Sequence, residues 1–472
     1  MESVTEETES RHKRYRINTS PATDLVQRPS RFIVRVGKIG LALHLFKSLI
    51  KNRINLKVVT SRPCIYGVYS GPVGGFSPRP ALCVGCLRCT TEYPGFVQIL
   101  PNPERNAWGN GFFTAQQHET ILYEAETGRI PVRGAGYRGR FGGNGWDGIW
   151  TDMSEIVRPT RDGIHGREYI STRVDIGAKP AFLRFDHTGR PLEKDFNFFS
   201  IQVPFFFDLG KKIPLPDGLT RAISKAAKEL DTLLVIPLET AANLGLNGYW
   251  IVPIITKDNL HSLNKIPPDA RMVEIYGLDQ AQVNRVQEVL PDCLLCLRIP
   301  FPNSQETKPI PSDSINVYHF SLDPLRSGHG DQNPFDLIQS VHHHFVEMRQ
   351  RDQVTLLGSG GICAAEHVPK AIIAGLDAVG IDTALLAALQ GRPPDDPADG
   401  STENWIFPLD PPLDWALQRI LNLSASWRDQ LLEVLGAMGL REVRRLRGET
   451  GRMMMQVELE REAFAGIEGY HG

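Results

Sequence analysis

The run Val354-Thr-Leu-Leu-Gly358-Ser359-Gly360-Gly361-Ile362, followed by Ala378-Val-Gly380-Ile-Asp382-Thr383, decides the fold. Each is a short apolar segment that ends in small or polar residues. Each then runs into a helical period, Cys363 to Ala374 for the first and Ala384 to Gln390 for the second. Strand, loop and helix, twice over, predict parallel strands with helices outside them. The same texture extends upstream to about residue 165. Strands are expected at Phe198 to Phe207, Thr232 to Pro237, Tyr249 to Ile255, Met272 to Tyr276, Cys293 to Ile299 and Ile315 to Ser321. The last two are Val354 to Leu357 and Ala378 to Gly380. Helices are expected at Thr220 to Leu230, Asp279 to Leu290 and Pro334 to Arg349. About eight strands over roughly 230 residues fit an α/β fold of the closed (β/α)8 TIM type better than an open doubly wound sheet, which the pattern also allows.

In such a barrel the loops after the last two strands are the usual phosphate site, because bare glycines let backbone N–H groups approach an anion. Ser359, Gly360, Gly361, Gly380 and Thr383 are the expected cofactor-binding residues. Gly134-Ala-Gly136-Tyr-Arg-Gly139 formally matches the dinucleotide pattern. No strand precedes it and more glycine follows, so no dinucleotide module is expected there.

Far upstream lies Cys83-Val-Gly-Cys86-Leu-Arg-Cys89, the C-x2-C-x2-C spacing of a bacterial ferredoxin half-motif. Such spacing wraps the backbone around one cubane, with amide N–H groups facing the sulfides. The run continues to Tyr93-Pro94, so the proline is kept and a tyrosine stands where a fourth cysteine would be. Cys64, nineteen residues upstream of Cys83, is the remote candidate. The expected metal ligands are thus Cys64, Cys83, Cys86 and Cys89 around a [4Fe-4S] cluster. A structural zinc site of four cysteines, no metal, or a three-iron cluster without Cys64 are the alternatives. Cys293 and Cys296 lie inside an apolar run and are expected as core residues pointing to opposite faces. His342-His-His344 falls in a helical stretch whose successive side chains fan out by about 100°, so three cannot converge on one ion.

The chain has 472 residues, 22% charged, and a net charge of −2, which implies neither nucleic acid nor an acidic substrate globally. One end is different. From Arg11 to Arg62 there are thirteen Lys or Arg residues against one acid, Asp24. The apolar stretch Phe32 to Ile50 carries Arg35, Lys38, His44 and Lys47, too many charges for a transmembrane span. Ile39 to Ile50 reads as an amphipathic helix, expected to pack on the rest of the protein rather than on a membrane surface. No secretory signal is read at the start, and a cytoplasmic location is expected. Five segments follow: a basic arm and helix (1–60), the cysteine segment (61–105), a Gly-rich connection (106–164), the barrel (165–392), and a linker with a C-terminal helical unit (393–472).

Asp352 through Gly391 resembles the closing strands of the FMN-binding domain of glutamate synthase, with its Gly-Gly loop, Lys370-Ala-Ile-Ile-Ala-Gly helix and Thr-Ala-Leu turn. Trp427 to Arg445 is similar to the helical segment after that barrel. Leu82 to Pro94 and Arg158-Pro-Thr-Arg161-Asp-Gly-Ile-His-Gly-Arg167 look like the glutamate synthase-like subgroup with an N-terminal ferredoxin-type site. The resemblance spans about residues 60 to 465, strong in the closing strands and weak from about 200 to 310. It implies an oxidoreductase in which electrons pass from a [4Fe-4S] cluster to FMN, reducing an imine or keto acid in glutamate metabolism. FMN phosphate would sit near Ser359, Gly360, Gly361 and Thr383. Ser327-Gly328-His329-Gly330-Asp331 partly preserves the family's Ser-Gly-His-Asp-Gly-Gly run, which makes His329 and Arg326 the catalytic candidates. An electron-donor protein, such as a ferredoxin or reductase subunit, and a separate amidotransferase subunit are the implied partners.

The departures point elsewhere. The family's Gly-Glu-Gly-Gly segment is missing, and Asp382 stands where that family has glycine. A carboxylate beside a phosphate repels it unless it turns away. The alternative reading is a non-catalytic or electron-relay subunit with a degenerate flavin site.

Overall fold

A computed structural model of the chain describes residues 15–55, 64–70, 74–109, 113–131, 145–154, 169–178, 185–190, 197–210, 215–300, 315–321, 334–393 and 405–468. The chain opens with β1 (Phe32–Val36) and α1 (Lys38–Lys51), then α2 (Arg88–Glu92), β2 (Val97–Pro101), α3 (Ala115–Thr127), β3 (Ile149–Thr151) and the strands β4 (Val174–Gly177) and β5 (Phe198–Ile201). Next come β6 (Phe205–Asp208), α4 (Asp217–Glu229), β7 (Leu234–Pro237), α5 (Leu238–Asn243), β8 (Ile251–Ile255), β9 (Met272–Ile275), α6 (Gln280–Val289), β10 (Leu294–Pro300), β11 (Val317–Ser321), α7 (Pro334–Glu347), β12 (Thr355–Ser359), α8 (His367–Ala374), β13 (Ala378–Ile381) and α9 (Thr383–Ala388). The chain ends in α10 (Leu413–Ala437), β14 (Met453–Met455) and α11 (Gln456–Phe464).

β6 to β13 close into one barrel in sequence order, every neighbouring pair parallel. This is the TIM-type barrel expected from the alternation of apolar runs and helical periods. Strands buried on both faces read as continuous apolar runs, and Phe205-Phe-Phe207 at 0% exposure is the extreme case. One boundary differs. The single strand expected over Phe198 to Phe207 is two, β5 and β6. Pro204 has no N–H to give a ladder, and there the chain crosses from an antiparallel ribbon with β4 into the barrel wall. That ribbon lies against the start of β12, where Gly177 N–H donates to Thr355 Oγ1 and Thr355 Oγ1 donates to Gly177 O, both at 3.0 Å. It thereby covers the amino-terminal end of the barrel.

On the outside, α10 packs against α4, α3 and α9. The first described residues lie along this seam. Tyr15 donates to Leu230 O at 2.8 Å, and Asn422 binds both the arm, at Ser20 O, and α3, at Ala125 O. Arg419, fully buried, pairs with Asp24 at 2.9 Å. This part of the basic arm thus docks on its own protein.

The cysteine segment forms a second, much smaller core. β1 and β2 pair antiparallel, and Val34, Val68, Tyr69 and Val97 are its buried apolar residues. α1 packs beside it but buries no residue of its own. The packing expected for this helix is found on one side: its inner face is half covered, and among the described residues its outer face is open.

Candidate functional site

Cys64, Cys83, Cys86 and Cys89 line one pocket together with Tyr66, Val68, Tyr69, Val84, Leu87 and Ile99. The turn that gathers three of them needs two left-handed residues, Gly85 at φ 72° and Leu87 at φ 59°. Left-handed backbone at a leucine is strained and persists where the surroundings demand it. Here the hydroxyls of Thr90 and Thr91, in α2, both hold the Leu87 carbonyl. Tyr93, which stands where a fourth ferredoxin cysteine would, is not in the lining. Its ring packs edge-on against His44 of α1 at 4.6 Å and beside Phe96 at 5.4 Å. Cys64 is in that lining.

The pocket fits a thiolate-bound metal centre by its donors. Burial raises the Cys83 thiol above its ordinary value; the Gly85 amide acts the other way, and the three neighbouring thiols raise it again. The Tyr69 hydroxyl is buried with no well-formed hydrogen bond of its own, and Cys89 is the group it faces. A buried hydroxyl without an acceptor costs about 1–3 kcal/mol, and a thiolate or sulfide at Cys89 would supply one. Cys296 is wholly buried in β10, as expected of a core residue, whereas Cys293 lies just before that strand, is half-buried, and donates to Ala270 O.

At the barrel mouth the structure brings Ser359 and Gly380 side by side as paired residues of β12 and β13. Gly360 and Gly361 follow at φ 97° and 76°, and their amides donate to no acceptor among the described residues. Successive amides turned this way make an anion-binding concavity. The helix does not open at once. α8 begins only at His367, because Cys363 to Glu366 form a turn in which the Cys363 amide donates to His367 Nδ1 at 3.1 Å. His367 Nε2 in turn donates to Asp147 at 2.8 Å. Gly380 has a packing reason of its own: a Cβ there would lie 2.7 Å from Ser359 Cβ and 3.1 Å from the Phe206 ring. Asp382 turns its carboxylate onto the Thr383 amide, so the helix end that a phosphate would use is already capped. Arg326 and His329 lie outside the described residues.

Inside the barrel sits a set of charges that reading the sequence missed. Arg298 on β10 donates to both oxygens of Asp208 on β6, at 3.2 and 2.9 Å, to Glu274 on β9 at 2.7 Å, and to Ser321 at 3.2 Å. His319 on β11 holds Glu274 through Nδ1 at 2.7 Å. Its Nε2 makes no hydrogen bond among the described residues and lies 3.9 Å from Asp208. All four are buried. Asp208 sits well below the usual carboxylate range because Arg298 and His319 outweigh its burial, and Glu274 is lowered likewise. Both terminal nitrogens of the guanidinium are thus engaged by protein groups. The partners are 24 and 90 residues away, so no local spacing could betray them. His342, His343 and His344 do not converge. Arg351 donates to His342 Nδ1 at 3.0 Å, and the triplet forms no metal-sized cluster among the described residues.

A TIM-type (β/α)8 barrel carrying a separate four-cysteine module defines the class of this protein. Its sequence is similar to glutamate synthases. It is 23% identical over 432 residues, 78% of this chain and 85% of the relative, to an archaeal-type glutamate synthase (NADPH) of Dehalococcoides mccartyi. It is 22% identical over 78% of the chain, and 84% of the relative, to an archaeal glutamate synthase (NADPH) of Archaeoglobus fulgidus. A shorter match reaches 32% over 124 residues of the Methanocaldococcus jannaschii protein. The resemblance to the glutamate synthase-like family, read first from the closing strands, therefore holds along most of the chain. No protein-family model matches. Solved structures of a flavocytochrome b2 variant with sulfite bound (TM-score 0.40, 11% identity, 78% of this chain and 88% of that one) and of mandelate oxidase with (S)-2-phenylpropionate (0.37, 14%, 64% and 86%) are likenesses too loose to argue from.

Proposed function

We propose that this chain is an iron–sulfur flavoprotein oxidoreductase of glutamate synthase type. The observation that carries this reading is the pocket in which four thiols meet, the remote Cys64 among them. In it Cys64, Cys83, Cys86 and Cys89 ligate a [4Fe-4S] cluster, with the Gly85 amide donating to Cys83 and Tyr69 beside Cys89. Gly360 and Gly361 offer their amides to the phosphate of FMN, with Ser359, Gly380 and Thr383 shaping the same rim. Bound there, the cluster supplies single electrons and the flavin a ring that passes them on in pairs. Arg326 and His329 hold the anionic imine or keto acid and provide the proton. The relatives' names include NADPH; here a ferredoxin or reductase subunit delivers the electrons, in the cytoplasm, and an amidotransferase subunit delivers ammonia.

A second reading is favoured by Asp382 and Arg298. Asp382 caps the amide a phosphate would take, and Arg298 is held by two carboxylates. Under that reading the barrel is an electron-relay or assembly subunit without flavin. Anaerobic purification separates the two. Iron and acid-labile sulfide in equal amounts, with flavin released on acid treatment, support the first. Iron and sulfide without flavin support the second, and a colourless zinc protein excludes both.

A further inference from the structure

α1 carries one face that nothing among the described residues covers. Ile39, Leu43, Phe46 and Ile50 are 80%, 65%, 66% and 66% exposed, and at 3.6 residues per turn they fall within an arc of about 60°. Ile54, 76% exposed, prolongs the stripe just past the helix end. The opposite face is the one that meets the cysteine module: Gly40 lies against Phe96, Leu41 against Gly75, and His44 against Tyr93. The helix is therefore pinned along one side, with its apolar stripe turned outward.

The charge along α1 is all of one sign. Between Phe32 and Asn55 there are five basic residues, Arg35, Lys38, Lys47, Lys51 and Arg53, and no Asp or Glu. Lys47 and Lys51 flank the stripe on one side and Lys38 lies on the other. An apolar ridge of large aliphatic and aromatic side chains between rows of lysine is the pattern of a helix lying in a membrane interface. Among the described residues no helix is long and apolar enough to cross a bilayer, so the contact is with a surface. We propose that α1 docks this protein on an anionic lipid surface. Ile39, Leu43, Phe46 and Ile50 enter the headgroup boundary, and Lys38, Lys47, Lys51 and Arg53 meet the lipid phosphates. Through Tyr93 and Phe96 the docked helix holds the four-thiol pocket close to that surface.

The test uses the full chain and co-sedimentation with phosphatidylcholine vesicles, with and without phosphatidylglycerol. Binding is expected to vesicles containing phosphatidylglycerol and to fall at least ten-fold without it or in high salt. The double variant Leu43→Ser, Phe46→Ser removes exposed groups only, so its circular dichroism should be unchanged while binding falls at least ten-fold. Neutralising Lys47, Lys51 and Arg53 to Gln should weaken binding about a hundred-fold, since each basic residue near an anionic surface contributes a factor of about five. Binding that survives Leu43→Ser, Phe46→Ser, or no binding to phosphatidylglycerol vesicles at low salt, overturns the proposal. So does a dimer in light scattering that the same double variant dissociates, which would assign the stripe to a second copy.

Discussion

At the residue scale, Arg298 has the largest predicted effect. It is the cation between two buried carboxylates, and removing one partner of such a set leaves uncompensated charge in the core. Arg298→Leu is expected to cost about 3–5 kcal/mol in denaturant unfolding. Should it cost under about 1 kcal/mol, the carboxylates have solvent access that the burial of Asp208 and Glu274 denies. Gly380→Ala should cost about 1–3 kcal/mol by overpacking against Ser359 and Phe206. Two histidines contribute to the acid limb of stability between about pH 6.5 and 4. Burial depresses His118 and His342 from 6.5 to about 4, and Arg351 adds to the effect at His342. A base whose folded pKa lies below its free value is held neutral by the fold. Stability is then full above about 6.5 and falls as the pH drops from 6.5 toward 4, where the folded protein protonates too. The loss is at most about 3 kcal/mol for each histidine. The double variant His118→Gln, His342→Gln should flatten that part of the stability–pH curve.

At the scale of elements, the barrel was legible because its strands are buried on both faces and so read as apolar runs between helical periods. All eight were located, and the fault at Pro204 was one of continuity. Arg298 and Glu274 escaped notice for the same reason the strands were found. Each sits inside an otherwise apolar run, Leu294–Pro300 or Met272–Ile275, whose texture a single charge does not disturb. Their pairing is a property of closure, which brings β6, β9, β10 and β11 around one axis. The cysteine triplet was legible from spacing alone, and Cys64 could be offered only as a remote candidate; the Tyr69 hydroxyl at Cys89 needed the fold. The exposed stripe of α1 could be read as amphipathic but not as uncovered, because periodicity gives a face and not its neighbour. Cys64→Ser tests the element directly. Iron content should fall or the cluster convert, and α2 with the Leu87 turn should lose protection in hydrogen exchange. The barrel strands should keep theirs. An unchanged iron content would remove Cys64 from the ligand set.

At the scale of the molecule, the described residues form two cores of very different size. The main one runs from Phe113 to Leu446, whereas the cysteine module's cluster has, among the described residues, Val34, Val68, Tyr69 and Val97 buried. A core of that size cannot offset the entropy of ordering its loops, and natural modules so small rely on a metal or crosslink. Ligation of a metal centre is folding free energy for such a unit. The prediction is two-stage unfolding. If the proposed cluster is bound, removing its iron with a chelator under oxidising conditions should unfold the module first, losing α1, α2 and the β1–β2 ladder. The barrel transition should persist, near its original midpoint, because the arm from Tyr15 to Arg28 is tied to α3, α10 and the end of α4 independently of the thiols. Limited proteolysis after chelation should therefore cut between residues 30 and 109 and leave a resistant barrel fragment. A single transition, lost as a whole on chelation, would mean that the module and the barrel share one cooperative unit.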